Sequence, residues 1–218
     1  MSKADFRYEE LPGSFYDDHT NPAKYGRFAA WYHSTRYARL AATVAEYARC
    51  GDLVLDVACG SAVWNSARLA VLGLDINASM LRQGLTNGRL VAGIVSDLAR
   101  AGLANNSMDL IVSSEVLEHI HEKGDVVAEY FRLLKPGGRL VLTVPFDRPG
   151  TPFFVLFNAQ CLYQGWIRGD TYYRAFCGHV NHFSPLAVKR LLCSSGFLVE
   201  RQFLHHYFLI YTVAAKPL

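Results

Sequence analysis

The chain has 218 residues, 51% of them hydrophobic and 13% aromatic, which is enough to bury the core of one structural domain with some embellishment. Its formal net charge of +3, with 22 Lys and Arg residues scattered rather than run together, argues against a nucleic-acid partner without excluding one. Five cysteines, odd in number and never spaced C-x-x-C, fit free thiols in a reducing compartment. The charged start MSKADFRYEE lacks the apolar core of a signal peptide and the greasiest stretch, 152–167, is too short to span a bilayer, so a cytoplasmic protein without a transmembrane segment is expected.

In chain order, the segment NPAKYGRFAAWYHSTRYARLAATVAEYARC has apolar and aromatic residues recurring at three and four, with Asn21 as a cap before Pro22. It predicts one or two amphipathic helices in an N-terminal cap of residues 1–50, ahead of a domain spanning 51–218. Short β-branched runs then alternate with helical segments: LVLDV (53–57), LAVLGLD (69–75), RLVAGIVS (89–96), MDLIVSS (108–114) and RLVLTVPF (139–146). Such alternation predicts an α/β fold, a parallel sheet covered by helices on both faces. KPGG (135–138) predicts a turn between a helix ending near Leu134 and the fifth strand. An insertion at about 147–183, rich in Phe, Tyr and Trp, is placed to form a lid over a flat or apolar acceptor; an extra hydrophobic layer, a homodimer surface or a peripheral membrane contact would also explain it. SPLAVKRLLCSSGF predicts a helix at 185–195, and two last strands at about 198–204 and 207–215, joined at His205 and His206 too tightly for a crossover, should pair antiparallel.

Ligands of an open parallel sheet sit at the carboxyl ends of its strands. Asp56 to Gly60, Asp75, Asp97 and Ser113 to Glu115 follow four such ends. Asp75 stands where a carboxylate takes the two hydroxyls of a ribose; it could instead cap the helix NASMLRQGL, a role Asn77 could equally fill. EVLEH sets Glu115, Glu118 and His119 at spacings of three and four, on one side of a helical turn, and GHVNHFSP brings His179 and His182. Two carboxylates and two imidazoles could hold a divalent cation such as magnesium; alternatively Glu118 is a solvated helix residue and His119 a polar lining residue or general base. Asp17, Asp18 and His19 read as a loop cluster with no partner spacing, and Tyr25, Trp31 and Tyr32 as packing residues that are second choices for the site.

LVLDVACGSA, VLGLDINASML, SDLARAGLANNSMDLIVSSEVLEHI and LLKPGGRLVLTVPF together resemble, over residues 51–146, the successive motifs of the class I S-adenosylmethionine-dependent methyltransferases. The resemblance implies a Rossmann-like, doubly wound, seven-stranded sheet, mostly parallel with an antiparallel last strand, and S-adenosylmethionine as cofactor. It implies that Asp56 and Gly60 border the amino-acid part of that cofactor, that Asp75 takes the ribose, and that Asp97 with Leu98 meets the adenine. Ala58, Ile76 and Ser113 complete the expected cofactor-binding set. The Glu-x-x-Glu-His…His pattern further resembles the site of the ubiquinone-pathway O-methyltransferases and the small-RNA 3′-terminal 2′-O-methyltransferases. That likeness implies a metal held by Glu115, Glu118, His119 and His179, with His119, Glu115 and His179 as the catalytic set; His179 fits the last ligand better than His182.

The chain departs from the family where three glycines become Ala58, Gly60 and Ala62. Alanine resists positive φ, so these positions are either extended or line a tighter pocket, and the ten residues between Gly60 and Val71 leave room for a short first helix at most. The expected reaction is O-methylation of a small apolar or aromatic acceptor by direct displacement. One competitor, a nicotinamide-dependent oxidoreductase, would want G-x-G-x-x-G where this chain has ACGSAVW. The other is a non-catalytic methyltransferase-like binding module.

Overall fold

The computed structural model describes residues 7–174 and 179–218; Cys177 and the start Met1–Phe6 lie outside them. Seven strands, β1 (Val54–Val57), β2 (Val71–Asp75), β3 (Ala92–Val95), β4 (Met108–Ser114), β5 (Leu134–Pro145), β6 (Leu198–His205) and β7 (Leu209–Ala215), form one sheet of order β3-β2-β1-β4-β5-β7-β6. The first five are parallel and β7 runs antiparallel to both β5 and β6. Strand order reverses beside β1 and β4, so the crevice for a ligand falls there.

The helices are α1 (Phe15–Asp18), α2 (Pro22–Tyr25), α3 (Arg27–Tyr47), α4 (Ala78–Thr86), α5 (Lys123–Leu133), α6 (Pro152–Leu162), α7 (Thr171–Arg174) and α8 (Pro185–Ser194). Two cores flank the sheet. Leu40 and Val44 of α3 and Leu81 of α4 pack with Val54, Val71 and Val112 on one face, while Val127 and Tyr130 of α5 and Val188 and Leu192 of α8 pack with Leu55, Ile111 and Leu142 on the other. Local chemistry sets the ends: Ser184 Oγ accepts from Ala187 N at 3.3 Å to cap α8, and Asn77 Oδ1 accepts from Ser79 N and Met80 N to cap α4. The final hairpin turns through His206 and Tyr207 at φ 52° and 58°. No helix among the described residues is long and apolar enough to cross a membrane.

Two expectations need correction. Residues 58–70, expected to hold a short helix, form turns instead. Asn65 supplies what a helix would have supplied, donating from Nδ2 to Leu69 O and Arg89 O and accepting from Leu69 N, while the buried Trp64 fills the space against the sheet. KPGG is not a separate turn but lies inside β5, where the pairing with β4 shifts from Met108–Leu134 to Leu110–Arg139 around Gly137 at φ 78°.

Candidate active site

The loop after β1 turns sharply, with Ala58, Gly60 and Ala62 all left-handed at φ 52°, 53° and 48°. Alanine therefore adopts the conformation that glycine would have taken more cheaply. At Gly60 a side chain is also excluded by a close approach, since a Cβ would lie 2.6 Å from Cδ2 of Tyr16. The neighbour that demands the glycine is thus the N-terminal segment, folded across the loop.

That segment is pinned in several places. Asp17 accepts from Ser61 Oγ at 2.8 Å and pairs with Arg89 at 2.7 Å, and Asn77 Nδ2 donates to Tyr8 O and Leu11 O. Asp75 lies beneath it, 1% exposed; Oδ2 accepts from Gly60 N at 2.7 Å and Tyr8 OH at 3.3 Å, and Oδ1 from Asn77 N at 2.8 Å. Asn77, not Asp75, caps α4, which leaves the Asp75 carboxylate facing the crevice.

A cavity of about 830 Å³ opens at these strand ends, bordered by Asp56, Ala58, Asp75, Ile76, Asp97 and Leu98 on one side and by Glu115, His119 and His179 on another. Aromatic rings from the N-terminal cap and the insertion, among them Tyr32, Phe153 and Phe157, close it over. Ser113 turns away and shares a hydrogen bond with Tyr130 OH at 2.9 Å on the α5 side of the sheet. Asp97 caps a short helical turn, accepting from Arg100 N.

Asp56 accepts from Trp64 Nε1 at 2.7 Å, yet burial pushes its carboxyl up from 3.8 to about 7. The fold therefore keeps a proton that the unfolded chain gives up near pH 4, so the stabilisation is fully present below that pH and is lost as pH rises to about 7. Melting temperatures measured across this window should fall with rising pH, and Asp56→Asn, which keeps an acceptor for Trp64, should flatten the decline.

Glu115, just past β4, sits at φ 56° and pairs with the buried Arg36 of α3, which also donates to Tyr37 OH at 3.1 Å. Its φ turns it away from Glu118, so EVLEH is a short turn at Leu117–His119 rather than a helix carrying both acids on one side. What comes together is Glu118, His119 and His179, whose ligand atoms lie within 4.8 Å of one another. Asn181 builds this meeting point: its Nδ2 donates to Leu117 O and Ile120 O, while Val180 N and Asn181 N donate to Glu118 O. Glu118 is 0% exposed, and neither of its carboxylate oxygens has a hydrogen-bond partner among the described residues. Burial, with the Glu115 charge adding to it, pushes its pKa well above the ordinary range.

Asp147, at the start of the aromatic-rich insertion and not singled out in the sequence, lies behind this cluster. Its Oδ2 is 3.2 Å from His179 Nδ1 and 3.0 Å from His182 Nδ1, and Oδ1 accepts from Phe183 N. Burial alone would raise the Asp147 pKa, but these hydrogen bonds outweigh it and hold the carboxyl below its ordinary value. A proton fixed on His179 Nδ1 leaves Nε2 as an electron-pair donor.

Residues 55–142 match the methyltransferase domain family. Over that segment the chain is similar to methyltransferase domains, and the seven-stranded topology agrees with that likeness. The chain is 29% identical over 113 residues to phosphoethanolamine N-methyltransferase 1 of Triticum aestivum, covering 48% of this chain and 23% of that protein. It is 27% identical over 136 residues to the ubiquinone biosynthesis O-methyltransferase of Pseudomonas paraeruginosa, covering 58% of each. Both matches thus span less than two thirds of the relative. The crystal structure of an S-adenosylmethionine-dependent methyltransferase from Mesorhizobium loti shares the fold, with a TM-score of 0.59 at 19% identity, covering 81% of this chain and 95% of that one.

Proposed function

We propose that the protein transfers a methyl group from S-adenosylmethionine to an oxygen of a small aromatic or apolar acceptor. One observation carries the reading: a single cavity, between aromatic walls, joins the carboxylates at the ends of β1 and β2 to His119 and His179, which meet the buried Glu118 behind the cavity wall. The size of that cavity and the row Asp56, Asp75, Asp97 suit the cofactor the family implies.

S-adenosylmethionine supplies, when bound, a methyl group made electrophilic by its sulfonium. Asp75 would hold the ribose hydroxyls, in place of the hydroxyl of Tyr8, and Leu98 with Asp97 would flank the adenine. The aromatic walls would exclude water and align the acceptor, so that positioning supplies most of the rate enhancement. His119 would take the proton that the acceptor hydroxyl gives up.

A second reading adds a divalent cation on Glu118, His119 and His179, where it would lower the pKa of an acceptor hydroxyl. The buried, unpartnered Glu118 oxygens and the orientation of His179 by Asp147 favour it. With Glu115 engaged by Arg36, the donor set of one carboxylate and two imidazoles suits a transition-metal ion better than magnesium. Asp147→Asn should then weaken manganese binding, measured by calorimetry, about 10- to 100-fold. The test of the function is S-adenosylhomocysteine release from a panel of phenols, amines and activated carbon acids, with and without manganese. Turnover with phenols supports the reading; turnover confined to the amines or carbon acids overturns oxygen as the acceptor, and none at all favours the binding-module alternative.

A further inference from the structure

The methyl-transfer reading uses the inner face of the N-terminal cap only as an aromatic wall, yet that face also carries polar groups. His19, just after α1, is 5% exposed. Its ring stacks on His33 of α3 with centroids 4.6 Å apart at 22°, and Tyr25 and Phe15 meet it edge-on at 4.4 and 4.7 Å. Both ring nitrogens of His19, Nδ1 of His33 and the hydroxyl of Tyr32 are buried without a hydrogen-bond partner among the described residues. All three side chains border the cavity. Each such orphan costs about 1–3 kcal/mol, and a group of them, buried in side chains that border one cavity, marks a place where a ligand drawn against the rings would supply the missing bonds.

The chemistry of that ligand follows from its surroundings. Burial, and after it the Arg36 charge, pushes both imidazoles down, His19 to about 4, so the pair is neutral at neutral pH. A neutral imidazole offers one N–H donor and one acceptor nitrogen, and a hydroxyl complements both. A carboxylate brings acceptors alone and finds Arg36 already paired with Glu115, and an ammonium brings donors alone, so neither meets both ring nitrogens. Tyr32, Phe28 and Phe208 supply flat apolar walls for a ring.

We propose that His19 and His33 form an acceptor-recognition site that binds a hydroxyl of an uncharged phenolic ring, distinct from the oxygen methylated at the His119–His179 wall. The assignment of this ligand as the acceptor rests on the methyl-transfer reading, but the site itself does not.

The test uses the full chain with 15N-labelled imidazoles, titrated with phenol, anisole and benzoate, with and without S-adenosylhomocysteine. Phenol should move the His19 and His33 ring resonances and bind more tightly than anisole or benzoate. His19→Phe, which keeps the stacking, should weaken phenol about tenfold and leave anisole and S-adenosylhomocysteine unchanged; His33→Phe serves the same purpose should the first variant fail to fold. Equal affinity for phenol and anisole, no phenol binding, or resonances that phenol leaves in place would overturn the proposal and make the pair a packed part of the roof. Loss of S-adenosylhomocysteine binding by the unmodified protein would instead count against methyl transfer, since the phenol arm is read without it.

Discussion

Asp75→Ala is expected to weaken S-adenosylhomocysteine binding by a factor of about 100 to 10,000, corresponding to two charge-assisted hydrogen bonds of about 1.5–3 kcal/mol each to the ribose. The same carboxylate accepts from Gly60 N, Asn77 N and Tyr8 OH, so the loop after β1, the cap of α4 and the N-terminal segment all converge on it. Removing it strands two buried backbone donors, and the melting temperature should drop as well. Asp75→Asn separates the two effects: its amide oxygen still serves one donor, so the fold is kept while the second ribose bond is lost. A folded Asp75→Asn protein that binds as tightly as the unmodified one would show that the ribose lies elsewhere.

Glu118→Gln is expected to have opposite effects on stability and turnover. Protonation of Glu118 is favoured in the fold by burial and by Glu115, whereas the unfolded chain ionises near the ordinary value of 4.5. Its contribution is therefore fully present below that pH and is lost as pH rises towards the folded value. At pH 8 the glutamine variant carries no such penalty and should be more stable by about 2 kcal/mol, roughly 4–8 °C in melting temperature. Where the cation reading holds, turnover should fall about 100-fold or more, as the cluster loses its one carboxylate ligand. Manganese should raise the melting temperature of the unmodified protein and leave that of the variant unmoved. A variant that melts lower at pH 8 would mean that Glu118 is already stabilised as a carboxylate by something other than a bound cation.

The sheet was legible because its pattern is local. Asp56, Asp75, Asp97 and Glu115 lie at or just past the ends of β-branched runs and border the cavity, and the short link between the last two strands leaves antiparallel pairing as the sole option. The connection after β1 was less so, because a helix and a set of turns can span the same ten residues. What decided between them was Asn65 bonding to Leu69 and to Arg89, 24 positions away, which no periodicity records. Asp147 and Asn181 escaped for a similar reason: each is a single polar residue in a loop, and its importance lies in partners brought to it by the fold.

The EVLEH spacing promised more than the backbone delivers. A left-handed Glu115 breaks the turn before a helix can form, sending one acid to Arg36 and leaving the other with the histidines. His19 was set aside as a loop residue with no partner in sequence, yet α1 and α3 bring it onto His33. Long-range juxtaposition of this kind, more than composition or spacing, defines the part of the cavity walled by the N-terminal cap.

The central claim is that the crevice at the ends of β1, β2 and β4 holds S-adenosylmethionine. Calorimetric titration of the purified protein with S-adenosylhomocysteine tests it most directly, because the ligand fills the same cavity and is not consumed. Micromolar binding at a single site, lost in Asp75→Ala, is the result the account predicts. A folded protein that takes up no S-adenosylhomocysteine would contradict it and leave the chain as a methyltransferase fold with another occupant in its cavity.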